Sequence, residues 1–338
     1  ARARHLKHLK TSPIPAEERT QNMKAAAEPL LPTHRTSAAA GAGVVEATLT
    51  LVKTCVGTGV LALPYAMTSG GALALPLLLV LGIWNWTTCL LLLEARAAVP
   101  RNVGDTGGSS YSAVALAALG TPGVVVLEAN LILTLVGVCT AMQVQASELL
   151  VACTSVPYAL CVAASAVVLV PLVLQRTLRG IAWVSAAGLT VLIGGLLAVA
   201  AYGLSVYGAD ALSPVPDEFF AIPRDLRSVA LCFGIICFSF GLQTTLLPVQ
   251  EGLREPSRAA VAVHWSLAVI VLLYAGVGLG LGVLYGKAPP HGVQQLIFLN
   301  LPRGSPLALA VQCGSALVAL LSYPLPLMPL VQLLPPRE

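Results

Sequence analysis

Glu46-Ala-Thr-Leu-Thr-Leu-Val-Lys53-Thr-Cys-Val-Gly57-Thr58-Gly59-Val-Leu-Ala-Leu-Pro64-Tyr65 is the first apolar run of the chain, and its reading decides the fold. With its flanks, near 44–67, it is long enough to cross roughly 30 Å of hydrocarbon, for which about 20 residues suffice. Gly57, Gly59 and Pro64 interrupt it. Glycine is too flexible to hold a helix well, and proline lacks the N–H that an interior position donates four residues back. Backbone groups in lipid must find partners within their own segment, so a break at this depth survives only against protein or a watery cavity. The expectation is a first helix broken around Gly57–Gly59. The half-helix after the break presents free N–H groups and a positive dipole end to the gap, a ready site for a carboxylate. The simpler alternative is that the glycines only permit close helix packing.

Lys53 is the only formally charged residue deep in a span. It stands four residues before Gly57, on the same helical face. It either snorkels toward the interface or places a fixed or titratable positive charge beside the gap, where a bound cation would otherwise sit.

Outward from this run the composition agrees with a membrane protein. Of 338 residues, 57% are hydrophobic and 10% charged, whereas a soluble domain carries roughly a quarter charged residues. That balance excludes a soluble globule. The net charge of +4 is spread between apolar runs rather than gathered in a basic patch with aromatics, so no nucleic-acid partner is expected. The eight cysteines form no CxxC, and no His-rich tract accompanies them, so they read as small buried apolar residues and not as a metal site or disulfide framework.

Residues 1–43 are polar and read as a disordered cytosolic tail, and 44–334 as the transmembrane domain. Apolar runs recur near 44–67, 72–93, 122–147, 158–175, 181–204, 229–250, 260–285 and 306–331, each of helix-spanning length. With the amino terminus inside, only Arg224, Arg227, Lys287 and Arg303 fall in outside connections, about fourteen basic residues against four. The chain begins without Met and its last apolar run almost reaches its last residue, so the expectation is an all-α membrane protein truncated at about the eighth helix.

A second break is expected in the sixth run, Phe238-Ser239-Phe240-Gly241-Leu-Gln243-Thr244-Thr245-Leu-Leu-Pro248, where Gly241 and Pro248 repeat the logic of the first run. Two interrupted helices, each opening a bundle of about five, are the arrangement of inverted-repeat transporters around a midplane substrate. Gln143 or Gln145 can face a cavity, but not both squarely, because residues two apart point about 200° apart on a helix. Ser322 and Tyr323 can line the site from the last run or simply bind helices together. Glu128 and Glu148 read as interfacial. A channel needs no paired breaks. An intramembrane enzyme calls for a constellation such as His-Glu-x-x-His or Gly-x-Ser-x-Gly, and the sequence contains neither. No catalytic residue is assigned.

These residues match a known pattern. Lys53-Thr-Cys-Val-Gly-Thr-Gly-Val-Leu-Ala-Leu-Pro-Tyr-Ala66 with Gly70-Gly71 resembles the first-helix signature of the amino acid/auxin permease family. Tyr111 to Gly120, Gln175-Arg-Thr-Leu-Arg179, Phe238-Ser-Phe240 with Leu247-Pro248, and Leu321-Ser-Tyr-Pro324 are similar to later parts of the family. The resemblance implies a bundle of about eleven helices in inverted repeats and ion-coupled amino acid transport, with a site between helices one, three, six and eight. By the same resemblance Gly57, Thr58 and Gly59 would bind the substrate carboxylate, and Phe238, Ser239 and Phe240 its amine and side chain. Lys53 stands where the sodium-coupled branch tends to carry Asn, which implies proton coupling and no other cofactor. Gly241 departs from the Glu that the proton-coupled branch often has. An amino-acid sensor on the same scaffold is the alternative. Vacuolar, lysosomal or plasma membrane is the expected location, and the oligomeric state is not legible.

Overall fold

The computed structural model describes residues 42–99, 110–154, 156–174, 181–208, 221–223, 225–286 and 292–323. The expected tail up to residue 41, the basic link at Arg176 and Arg179, most of the loop 205–228, and Pro324 lie outside the described residues, as does the Thr58 side chain. The helices are α1 (Val44–Cys55), α2 (Leu63–Gly70, entered through a 3₁₀ turn at Thr58–Ala62), α3 (Ala74–Ala98), α4 (Ser110–Thr154), α5 (Tyr158–Leu174), α6 (Ile181–Tyr207), α7 (Leu226–Ser239), α8 (Gln243–Gly252), α9 (Ala259–Gly286) and α10 (Pro306–Ser322). Among the described residues the extended pairing is a single parallel bridge, Ala42 with Leu253.

Helix ends follow from local chemistry. Glu46, in the first turn of α1, accepts the Gly43 N–H at 3.0 Å. Asp225 caps α7 by accepting the Ser228 N–H at 2.9 Å. Ser305 caps α10 through the Ala308 N–H at 3.1 Å, with Pro306 in the first turn where its missing N–H is harmless. The 45-residue α4 is two helices joined at Gly120, whose φ of 68° is open to glycine and poor for other residues; Pro122 follows directly.

Helix α9 is the hub, packing against α1, α2, α3 and α6, while α10 packs against α4 and α6. Gly278 permits close approach of α9 to α2, since a Cβ there would stand 2.8 Å from Met67 Cγ. One buried cluster joins α1–α3 with α7–α9; a second joins α6, the end of α9, the segment 293–301 and α10. Large apolar side chains cover the outside instead, among them Trp84, Leu133, Val167 and Leu272, each more than 60% exposed. Water would penalise that surface heavily, whereas hydrocarbon does not. Among the described residues five helical stretches are long and apolar enough to cross a membrane: Gly59–Ala98, Ser110–Thr154, Gly188–Tyr207, Leu226–Gly252 and Pro256–Gly286. Tyr158–Val170 and Pro306–Ser322 are shorter apolar helices. The chain is a multi-pass α-helical membrane protein. Of the eight expected spans, the one near 44–67 is divided between α1, the 3₁₀ turn and α2, so it is not a continuous helix.

Candidate functional site

Helix α1 stops at Cys55. Val56 takes φ −77° and ψ 75°, and the Gly57 N–H donates to the Cys55 carbonyl at 2.8 Å, which together make an inverse γ-turn. The chain resumes through the 3₁₀ turn into α2, with Pro64 in its first turn. Helix α7 stops at Ser239. Phe240 takes φ −91° and ψ 48°, its N–H donates to the Cys237 carbonyl at 3.2 Å, and α8 starts at Gln243. Cys55, Val56, Gly57 and Pro64 are each 184 residues before Ser239, Phe240, Gly241 and Pro248, so the two interruptions share their register. A Cβ placed at Gly57 or at Gly241 would meet nothing within 4 Å, so open space lies beside both.

The two interruptions touch. A Cβ on Gly59 would stand 2.5 Å from Ser239 Oγ and 3.0 Å from Ser239 Cα. The buried Tyr274 of α9 lies over the same junction, its hydroxyl 2.8 Å from the Cys55 carbonyl and 2.6 Å from that of Ser239. These are the last carbonyls of α1 and α7, which have no helical partner of their own. The Phe240 ring packs on Tyr274 with centroids 5.3 Å apart.

The residues singled out in the sequence distribute as follows. Gly57, Thr58, Gly59, Ser239, Phe240 and Gly241 sit together at the junction. Phe238 is 39% exposed, while Phe240 is almost fully buried and the Ser239 hydroxyl donates to the Ile235 carbonyl one turn back, at 2.8 Å. Lys53 lies half-buried in the last turn of α1, where a cation complements the negative end of the helix dipole. It makes no ion pair among the described residues, where Arg96–Glu251 and Arg258–Glu255 are the pairs formed. Gln143 is directed to α5, donating to Ser165 Oγ at 2.5 Å and to the Val162 carbonyl at 3.3 Å. Tyr323 packs at the end of α10 against the buried cluster of Ala146, Leu169, Ala319 and Leu320, next to half-buried Ser322.

Other polar groups at the junction are not singled out by spacing. Gln243 Nε2 donates to Asn85 Oδ1 and, at 3.3 Å, to Thr88 Oγ1, joining α8 to α3. The Tyr111 hydroxyl donates to the Gln243 carbonyl and accepts the Leu247 N–H at 3.2 Å, so α4 grips the first turn of α8. Asn85 and Tyr274 each lie within an apolar run and Tyr111 lies ahead of one, where only an unmatched polar atom marks them, and such an atom is also common as helix-to-helix glue. Among the described residues no group of His, Cys, Asp and Glu is arranged to hold a metal ion.

The chain is 27% identical to "Vacuolar amino acid transporter 3" of Schizosaccharomyces pombe over 320 residues, covering 91% of this chain and 46% of that protein. It is 23% identical to "Vacuolar amino acid transporter 4" of Saccharomyces cerevisiae, covering 85% and 40%, and 23% identical to "Amino acid transporter AVT1H" of Arabidopsis thaliana, covering 87% and 67%. The chain thus spans less than half the length of the two fungal relatives. No solved structure matches it. Residues 40–337 match the family described as "Transmembrane amino acid transporter protein", and the chain belongs to that family.

Proposed function

We propose that this protein is a secondary active carrier of amino acids, with neutral substrates and proton coupling, and that the paired interruptions are its substrate site. One observation carries the proposal: two helix breaks in matching register, in contact through Gly59 and Ser239, each with open space at its glycine, Gly57 and Gly241. A zwitterion needs donors for its carboxylate and acceptors for its ammonium. The N–H groups of Thr58 and Gly59, next to the open space at Gly57, lead into α2, at the positive end of that half-helix. The carbonyls that end α1 and α7 are negative dipole ends. Phe238, Ser239 and the backbone of Phe240 form the opposite wall, and Lys53 stands one turn away as the fixed charge that takes the place of a sodium ion. The matching register supports an inverted repeat with broken first and sixth helices, and the excess of basic residues on the tail side supports a cytosolic amino-terminal tail. The vacuolar transporters among the relatives support an acidic-organelle membrane as its place.

The test is reconstitution of the protein in liposomes and uptake of single tritiated neutral amino acids under an imposed proton gradient. Saturable uptake that requires the gradient and survives removal of sodium is the expected result. Binding without uptake would make the protein a sensor, and uptake that follows sodium instead would overturn proton coupling.

A further inference from the structure

We infer that Tyr274 is the positioning residue of the substrate gap, a single hydroxyl that sets the spacing of the two helix ends from which the gap is built. The inference rests on the carrier reading for its functional readout, but its geometry stands independently. Cys55 and Ser239 occupy the same place in the two interruptions, and both present their carbonyls to the same oxygen, at 2.8 Å and 2.6 Å. A tyrosine hydroxyl has one proton to donate. It can satisfy one carbonyl fully or be shared between two, and either way the second carbonyl stays only as long as the first is near. The side chain is fully buried and its ring is wedged against Phe240, so the oxygen has little freedom to follow a helix end that drifts. Among the described groups at the junction, the Gly57 N–H also donates to the Cys55 carbonyl, but it belongs to the same turn and therefore holds nothing across the gap.

This makes the hydroxyl a divided partner. Helix α9 packs on α1 and α2, so any movement that swings α1 away from α7 must separate Cys55 from Ser239 and leave the proton with one of them. The substrate site would be set when both carbonyls are held and relaxed when one is released. A group in this role touches no substrate, yet its loss changes where the substrate's partners stand.

Tyr285 supplies the matched control. It lies on the same helix, is equally buried, and donates to a backbone carbonyl, that of Val199, at 2.8 Å, away from both breaks. Tyr274→Phe and Tyr285→Phe each delete one buried hydroxyl and keep the ring. The experiment measures KM and Vmax for the best-transported single tritiated amino acid in proteoliposomes, together with hydrogen–deuterium exchange of peptides covering 52–59 and 236–243. The expected result is a KM raised about ten-fold in Tyr274→Phe, with faster exchange in both peptides and neither change in Tyr285→Phe. An unchanged KM in Tyr274→Phe, or the same shift in both variants, would overturn the inference while leaving the carrier reading intact. If the unsubstituted protein transports nothing, the carrier reading fails, and exchange alone decides: equal rates in the two variants would reject the positioning role. Should Tyr274→Phe not fold, fluorotyrosine incorporated at position 274 keeps the shape and strengthens the donor. Slower exchange in the two peptides then supports the inference, and unchanged exchange rejects it.

Discussion

Gly59 and Ser239 are in contact closer than any side chain allows: a Cβ on Gly59 would stand 2.5 Å from Ser239 Oγ and 3.0 Å from its Cα. The hydroxyl can rotate away, but the Cα belongs to the end of α7 and cannot. Gly59→Ala therefore forces the two interruptions apart, at about 1–3 kcal/mol by the usual cost of overpacking, and abolishes uptake. Gly57→Ala is the contrast, because its Cβ meets nothing within 4 Å and its φ of −130° lies outside the left-handed region. It should melt with the unsubstituted protein in detergent while its methyl group narrows the gap and raises KM. Equal losses of stability in both variants would show that the open space at Gly57 is not there.

The amide pair that joins α3 to the start of α8 gives a thermodynamic prediction. Asn85 is 6% exposed, donates to the Leu81 carbonyl at 3.0 Å, and accepts from Gln243. Gln243→Leu leaves Asn85 Oδ1 without that donor in an apolar surround, costing about 1–3 kcal/mol. Replacing both residues by leucine removes the orphan together with its partner, so the double variant should be more stable than the two single losses predict, by about 1 kcal/mol. Thermal unfolding of the four proteins in one detergent measures this coupling, and strict additivity would show that the two amides do not interact.

Helices α1 and α8 are also joined through the backbone. The Ala42 N–H donates to the Gly252 carbonyl at 3.0 Å, and the Arg254 N–H donates to the Ala42 carbonyl at 3.1 Å. The half-helix before the first break and the half-helix after the second are thus strapped together at one end. Ala42→Pro deletes the first of these donors. Exchange of the Arg254 amide should then rise about five-fold, the worth of one modest hydrogen bond. An Arg254 amide exchanging at the same rate in both proteins would mean that the strap does not form.

Much of this arrangement is legible in the sequence because the bilayer leaves few alternatives. Runs such as 260–285 have to be helices, and a Gly-x-Gly followed by Pro64 in such a run calls for surrounding protein. What is not legible is which polar atom meets which. Gln143 can face a cavity by its spacing, but its amide reaches Ser165 on α5, because the angle between α4 and α5 is a tertiary property that no local pattern encodes. Phe240 reads as a wall of the site, yet its ring is buried on Tyr274, since the turn at φ −91° directs it inward. Tyr274 carries no local signal at all. Its importance comes from meeting residues more than 200 positions away and 35 positions away at the same point.

The cap of α7 links stability to acidity, which matters for a protein proposed to face an acidic lumen. Asp225 accepts the Ser228 N–H and its hydroxyl, both at 2.9 Å, and these bonds hold its carboxyl below the usual carboxylate range. A depressed folded value means that protonation is harder in the folded state than in the unfolded one. The cap's contribution is therefore present at all pH above the ordinary carboxylate range and is lost as pH falls through the depressed value. At the mild acidity of an organelle, about pH 5, Asp225 remains ionised and the first turn of α7 stays formed. Exchange of the amides of residues 226–229 should be slow and steady from about pH 7 to about pH 5 after correction for intrinsic rates, and should rise only once the pH has fallen below the ordinary carboxylate range. Asp225→Asn keeps the acceptor without the titration, so its exchange should show no such rise. An acid-induced opening near pH 5, or the same opening in the Asn variant, would assign the effect to another group.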